Sequence, residues 1–304
     1  MNRLVLGAAL LVLFSSGCAS TKYITKEYLE QKYTNEQSRF TTIDGIRVHY
    51  QDEGSGIPVL LIHGISSSLH TWDAWTEQLK DQYRVIRLDL PGFGLTGADP
   101  QNEYSIDRYV SIVDSLCLHL ELDSFYVVGN SLGGWIAWEY AYLYQHKVSK
   151  MILIDAAGFV TPDDPPKPIR MTQKPIFKKI ATKKAPKFLV RKYVKQAYGD
   201  RRKVTKGLVT RYFELSNAPG NPLAFYTIAN SNYQSHTQNL PKIQVPTLIM
   251  WGSEDKKWIN VSHAYLFKEA LPNNRLTIYQ GVGHLPMEEA PMESVQDAME
   301  FFSQ

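Results

Sequence analysis

Three side chains in this sequence are of the types that covalent catalysis requires: a hydroxyl, an imidazole and a carboxylate. The hydroxyl is Ser131, in Gly129-Asn130-Ser131-Leu132-Gly133-Gly134. An apolar run, Phe125 to Gly129, leads into it, and a helical pattern from Ser131 to Tyr144 leads away. A serine at such a strand-to-helix turn is held in a strained backbone geometry, and only glycine-sized neighbours let the two elements approach that closely. The helix N-terminus beneath it favours developing negative charge. A serine needs a base, and His284 in Gly281-Val282-Gly283-His284 follows the strand pattern Arg275–Tyr279. The base needs a carboxylate to orient it. Asp255, in Trp251-Gly252-Ser253-Glu254-Asp255, is the candidate, with Asp155 at the end of Lys150–Asp155 and the adjacent Glu254 as alternatives. An attacked carbonyl further needs two amide donors for its oxygen. Leu132 N–H stands directly after the serine, and Ile65 N–H lies in His63-Gly64-Ile65-Ser66 after the apolar run Pro58–His63. Together these residues imply acyl transfer to water through an acyl-enzyme.

Positioning them takes a sheet. Phe40–Ile43 and Ile46–Asp52 flank an Asp44-Gly45 turn and read as a hairpin. Pro58–His63, Tyr83–Asp89 and Thr247–Trp251 read as strands of the kind buried on both faces, and Phe125–Gly129, Lys150–Asp155 and Arg275–Tyr279 as further strands. Helical patterns separate them at Thr71–Lys80, Ile106–Leu120 and Ser131–Tyr144, and Met292–Phe301 closes the chain. Strands alternating with helices predict a mostly parallel sheet with right-handed crossovers, and in such sheets catalytic groups gather at the strands' C-terminal ends. The alternation stops between Phe159 and Asn239, a stretch rich in proline and lysine that is too long for a plain loop. It reads as an inserted helical cap.

From about residue 40 to 304 the sequence resembles the α/β-hydrolase superfamily. The resemblance rests on His63-Gly64, Asp89-Leu90-Pro91-Gly92-Phe93-Gly94, the GNSLGG turn, WGSED and GVGHLPMEEAP. It implies the α/β-hydrolase fold, with a triad in the chain order Ser131, Asp255, His284. GNSLGG resembles the corresponding turn of bacterial lipases and esterases, and also that of meta-cleavage-product hydrolases, which break carbon–carbon bonds. The latter usually carry a Gly-Pro-Gly-like oxyanion loop, whereas this chain has Ile65-Ser66-Ser67-Ser68. Dehalogenases and epoxide hydrolases of this fold use aspartate as nucleophile, and Ser131 argues against both. A carboxylic ester, lipid esters included, is the expected substrate; carbon–carbon bond hydrolysis is the alternative, and a non-catalytic binding scaffold the third reading. No cofactor and no metal are called for: no histidine or cysteine cluster has ligand spacing, and no G-x-G-x-x-G opens a dinucleotide site.

The organisation expected is a leader over 1–17, a polar tether with some helical tendency over 18–38, core over 39–158, cap over 159–240 and core again over 241–304. The leader has an 11-residue apolar run, Leu4–Phe14, too short to span a bilayer, followed by Ser15-Ser16-Gly17-Cys18. It resembles a bacterial lipoprotein signal, with Ser15 where leucine is usual. That resemblance implies lipidation of Cys18 and a membrane-anchored periplasmic or outer-membrane protein. Cys117, the second of two cysteines, sits in an apolar helical pattern and reads as a buried structural thiol. Net charge is +3, but Phe159–Lys206 holds 15 Lys/Arg against 3 Asp/Glu, leaving the rest at −9. The basic cap reads as a solvated surface, a contact for anionic lipid or a guide for an anionic substrate. Nucleic acid is not an expected partner, since basic and aromatic residues do not interleave.

Overall fold

The computed structural model describes residues 24–160, 167–172, 184–231 and 233–304. The leader and Cys18 lie outside these residues. Eight strands, β1 (Ser38–Ile43), β2 (Ile46–Glu53), β3 (Ile57–Ile62), β4 (Tyr83–Leu88), β5 (Phe125–Asn130), β6 (Val148–Ile154), β7 (Thr247–Gly252) and β8 (Asn274–Tyr279), form one sheet. Their order is β1-β2-β4-β3-β5-β6-β7-β8. The β1–β2 hairpin and the β2–β4 pair are antiparallel, and every other pair is parallel.

Side-chain alternation along the central strands builds two cores. In β3, Leu60 and Ile62 face one cluster while Val59 and Leu61 face the other. Among the helices α1 (Lys26–Tyr33), α2 (Asp73–Leu79), α3 (Ile106–His119) and α4 (Leu132–Leu143), α3 and α4 cover the first face and α2 the second, beside the C-terminal helix Pro291–Ser303. α3 starts where Ser105 caps the Arg108 amide and buries Tyr109, Val113 and Leu116 at helical spacing. α4 is apolar all round and buried from Leu132 to Ala141, as a helix enclosed by sheet and neighbours must be. Cys117 is fully buried, and burial pushes its thiol up to about 12.

Between β6 and β7 the helices Lys167–Thr172, Lys187–Ala197, Lys206–Ser216 and Asn221–Asn230 occupy the region read as a cap. Lys187–Ala197 turns Val190, Val194 and Ala197 inward and leaves Phe188 outside, 69% exposed. The helix Ser262–Ala270 is a finding that periodicity did not give.

The stretch read as a tether with some helical tendency holds a helix. From Lys26 it is α1, with Leu29 1% exposed and packed with Leu95, Leu215 and Ala218. Lys32 and Tyr33 both donate to Glu214 at 2.6 Å, tying α1 to the helix Lys206–Ser216. One leucine among polar neighbours is a weak helical signal, and the partner that buries it lies about 190 residues away in sequence. Among the described residues no helix is long and apolar enough to cross a membrane.

Candidate active site

Ser131 stands between β5 and α4 with φ 56° and ψ −118°. Such a backbone is sparsely populated for a residue with a side chain and persists only where its surroundings hold it. Here they do: the Ser131 amide donates to Ile154 O at 3.0 Å, and its carbonyl accepts from Trp135 and Ala157 at 3.1 and 2.9 Å. The glycines are explained by contact distance. A Cβ on Gly129 would fall 2.1 Å from Gly133 O, and one on Gly133 would fall 2.2 Å from Ile62 O.

Asp255 lies in the turn after β7 and His284 in the turn after β8. His284 Nδ1 and Asp255 Oδ2 are 2.5 Å apart, with both side chains almost fully buried. Backbone amides fix the carboxylate: Trp258 N–H donates to Oδ1 at 3.1 Å, and Ile259 N–H reaches both oxygens at 3.2 and 3.1 Å. The Trp258 ring stacks on the imidazole, with centroids 5.7 Å apart and planes at 15°. With Nδ1 directed at Asp255, Nε2 is the nitrogen left for a proton from elsewhere.

Asp155, the alternative acid, follows β6 and is also fully buried, with φ 42°. One of its oxygens accepts from Gly252 N–H at 3.2 Å. Burial pushes its carboxyl well above the usual carboxylate range, and the charge of Asp255 adds to this. Asp155, Asp255 and His284 present donor atoms that all lie within 4.8 Å of one another. The carboxylate that accepts from the imidazole is nevertheless that of Asp255. Glu254 instead pairs with Lys256 in solvent, at 2.8 Å.

Of the two residues read as oxyanion donors, Leu132 directly follows Ser131 and Ile65 lies in the loop after β3. Ile65 and Ser131 line one cavity, and a Cβ on Gly64 would fall 2.9 Å from Ser131 Cβ, so this loop lies against the serine. Ser66 turns the loop with φ 57°. Neither Ile65 N–H nor Leu132 N–H has a hydrogen-bond partner among the described residues. His63 braces the loop from below. Leu90 N–H donates to its Nε2 at 3.0 Å, so Nδ1 carries the proton toward Gly64 O at 2.7 Å. Burial depresses its pKa and keeps the ring neutral.

Several residues position the site in ways their motifs do not state. His49 belongs to no motif of the sequence, and its Nδ1 lies 2.8 Å from Asp89. Asp89 also accepts from the amides of Leu69 and Leu95, both at 2.8 Å. Burial alone would raise this carboxyl, but His49 and these contacts outweigh it and hold it at about 2. Asn130 donates to the His284 carbonyl at 3.1 Å. Glu289 accepts from the amides of Gly283, Gly199 and Asp200 at 2.8, 3.0 and 2.6 Å, joining the histidine turn to the cap. Glu288 accepts from Thr71, Arg211 and Tyr198 at 2.7, 2.6 and 2.6 Å. Their partners come from segments far apart in sequence, which no local pattern reveals.

Above Ser131 and His284 is a cavity of about 180 Å³, roofed by cap residues such as Leu189, Val190, Val194 and Phe225. Among the described residues no lysine, arginine, aspartate or glutamate lines it.

Residues 57–291 match the model of the alpha/beta hydrolase fold family. The chain belongs to that family. It is 28% identical to Lipase 3 of Moraxella sp. over 90% of this chain and 87% of the lipase. It is 26% identical to a 2-hydroxy-6-oxo-6-(2'-aminophenyl)hexa-2,4-dienoic acid hydrolase of Metapseudomonas resinovorans, over 87% of this chain and 90% of that one. Among solved structures it resembles a bacterial membrane phospholipase A with a TM-score of 0.77 and 25% identity, covering 91% of both chains. The chain is thus an alpha/beta hydrolase with lipases and a meta-cleavage-type hydrolase among its relatives.

Proposed function

We propose that this alpha/beta hydrolase is a serine esterase acting on esters with an apolar acyl group. The observation that carries the reading is the Asp255–His284 pair opening, beside Ser131, into a cavity without charged side chains among the described residues. In this mechanism His284 Nε2 takes the Ser131 proton as Oγ bonds to the ester carbonyl. The carbonyl oxygen becomes an oxyanion and receives hydrogen bonds from the amides of Leu132 and Ile65. The protonated imidazole, held by Asp255, then gives its proton to the leaving alcohol as the C–O bond breaks. Water, deprotonated by the same nitrogen, attacks the acyl-enzyme, and Ser131 departs with the proton returned. No cofactor or metal enters these steps.

Likeness to the dienoic acid hydrolase favours carbon–carbon bond cleavage as a second reading. A dienoate carries a carboxylate, and a buried anion needs a cationic or multiply hydrogen-bonded partner. Among the described residues the lining carries no charge, which supports a neutral ester instead. We further propose that Cys18 is lipidated and holds the enzyme at a bacterial membrane.

p-Nitrophenyl esters from acetate to palmitate, offered to residues 19–304 and to its Ser131→Ala variant, test the esterase reading. Hydrolysis lost in the variant is the expected result. Activity on a vinylogous diketone but on no ester would move the assignment to the carbon–carbon reaction. Failure of a fluorophosphonate to label Ser131 would end both.

A further inference from the structure

The outward side of the cap carries charge and apolar surface that nothing in the reaction uses. From Lys184 to Lys206 the chain holds nine Lys/Arg and one acid, Asp200. That acid is engaged by Arg202 at 2.8 Å. Arg191, Lys192, Arg201 and Lys206 are exposed and have no carboxylate in salt-bridge range among the described residues. Amid them stands Phe188, at 69% the most exposed large hydrophobic side chain of the described residues. Phe188 borders a groove between the helices Lys187–Ala197 and Lys206–Ser216, with Arg191, Lys206 and Val209 on its walls. An exposed aromatic ring ringed by lysine and arginine suits a bilayer interface, where the ring enters the headgroup layer and the cations meet phosphate.

The N-terminal segment supplies a second, independent observation. α1 is bonded to Glu214 and packed on Leu215, so it is fixed to the same helix, Lys206–Ser216, that forms one wall of the groove. Only the residues between Cys18 and Ile24 separate a lipid on Cys18 from this fixed point, and fully extended they span at most about 20 Å. An anchored enzyme is therefore held with its cap region near the membrane.

We infer that the cap face centred on Phe188, Arg191 and Lys192 docks on an anionic phospholipid surface, presenting the cavity roof to the bilayer. The orientation rests on lipidation of Cys18; the docking itself does not. Leu189 and Val190, on the opposite side of the same helix, roof the cavity. Docking thereby sets the entrance for an apolar ester beside its source.

Residues 19–304 retain every described element and lack the anchor, so vesicle binding by this form isolates the cap. Co-sedimentation with phosphatidylglycerol vesicles and with phosphatidylcholine vesicles is the measurement. The expected result is binding to the anionic vesicles alone, released by high salt. Arg191→Gln with Lys192→Gln should weaken it about 30-fold, at roughly fivefold for each basic residue. Phe188→Ser should weaken it about tenfold. A fluorophore on Phe188→Cys, selective because Cys117 is buried, should shift to the blue on the anionic vesicles. Hydrolysis of a short, soluble ester should be unchanged in all three variants, which shows that they fold. Equal binding to both vesicle types, or anionic binding that survives both sets of substitutions, overturns the inference. So does self-association abolished by Phe188→Ser, which would give this face to a second copy. Loss of ester activity in the parent form would sink the esterase reading and leave the docking result standing.

Discussion

Glu289 offers a sharp test of how the cap and the catalytic turn are joined. Its carboxylate is 3% exposed and accepts three backbone amides. Gly283 and Gly199 donate to Oε2 at 2.8 and 3.0 Å, and Asp200 donates to Oε1 at 2.6 Å. Glu289→Gln keeps the shape and removes the charge. Its carbonyl oxygen can serve Gly283 and Gly199, but the amide nitrogen must then face the Asp200 N–H, donor against donor. One charge-assisted bond is lost, at about 1.5–3 kcal/mol, and the other two become ordinary ones. The total is roughly 3–4 kcal/mol, which lowers Tm by about 7–10 °C for a chain of this size. Gly283 immediately precedes His284, whose own amide donates to Ala197 O at 2.7 Å. A loosened turn therefore displaces the base, and a shift of about 1 Å can cost 10²-fold in rate. Thermal unfolding and the kcat for a p-nitrophenyl ester are the two measurements. A Tm within about 2 °C of wild type together with an unchanged kcat would refute the reasoning.

Two further outcomes follow from the carboxylates. In Asp255→Asn the amides of Trp258 and Ile259 keep the side-chain oxygen at the Oδ1 side, so the new NH₂ points at His284 Nδ1 and imposes the wrong tautomer; kcat should fall about 10³–10⁴-fold with Tm little changed, and a fall under tenfold would show that another group orients the base. The carboxyl of Asp155 is raised above its unfolded value, so its contribution is most favourable below the ordinary carboxylate pKa and is lost as pH rises toward the folded value. Asp155→Asn is permanently neutral, and its Tm should decline less than that of wild type between pH 5 and pH 9; parallel curves would show Asp155 ionised in the folded protein.

The sequence is most legible where one segment decides its own fate. Phe125 to Asn130 is buried at every position, so its apolar run and the glycines after it announce a central strand and a tight turn. The choice between Asp255 and Asp155 is of another kind. Both follow a buried strand, and only the spatial path of the turn after β7 brings Asp255 to the imidazole. The helical tendency of α1 was legible but its docking was not, because Leu29 alone among its residues is buried, against side chains contributed by the cap and the loop after β4. The same applies to the pairing of His49 with Asp89 and of Glu289 with Gly199: motifs mark Asp89 and Glu289, but neither motif names the distant partner. Contacts made across the fold are absent from any local pattern, and these are the contacts that orient the site.

The crowding beneath the nucleophile has a consequence for how molecules built this way diverge. Around Ser131 the backbone packs against itself, and a single added carbon on Gly129, Gly133 or Gly252 would overlap a carbonyl at 2.1, 2.2 or 1.9 Å. The roof is made differently: Leu189, Val190, Val194 and Phe225 meet the cavity through side chains, which can be exchanged without moving a strand. Inheritance can therefore alter the roof while the floor stays nearly fixed, and a lineage sharing this floor can keep one reaction while changing which molecules reach it.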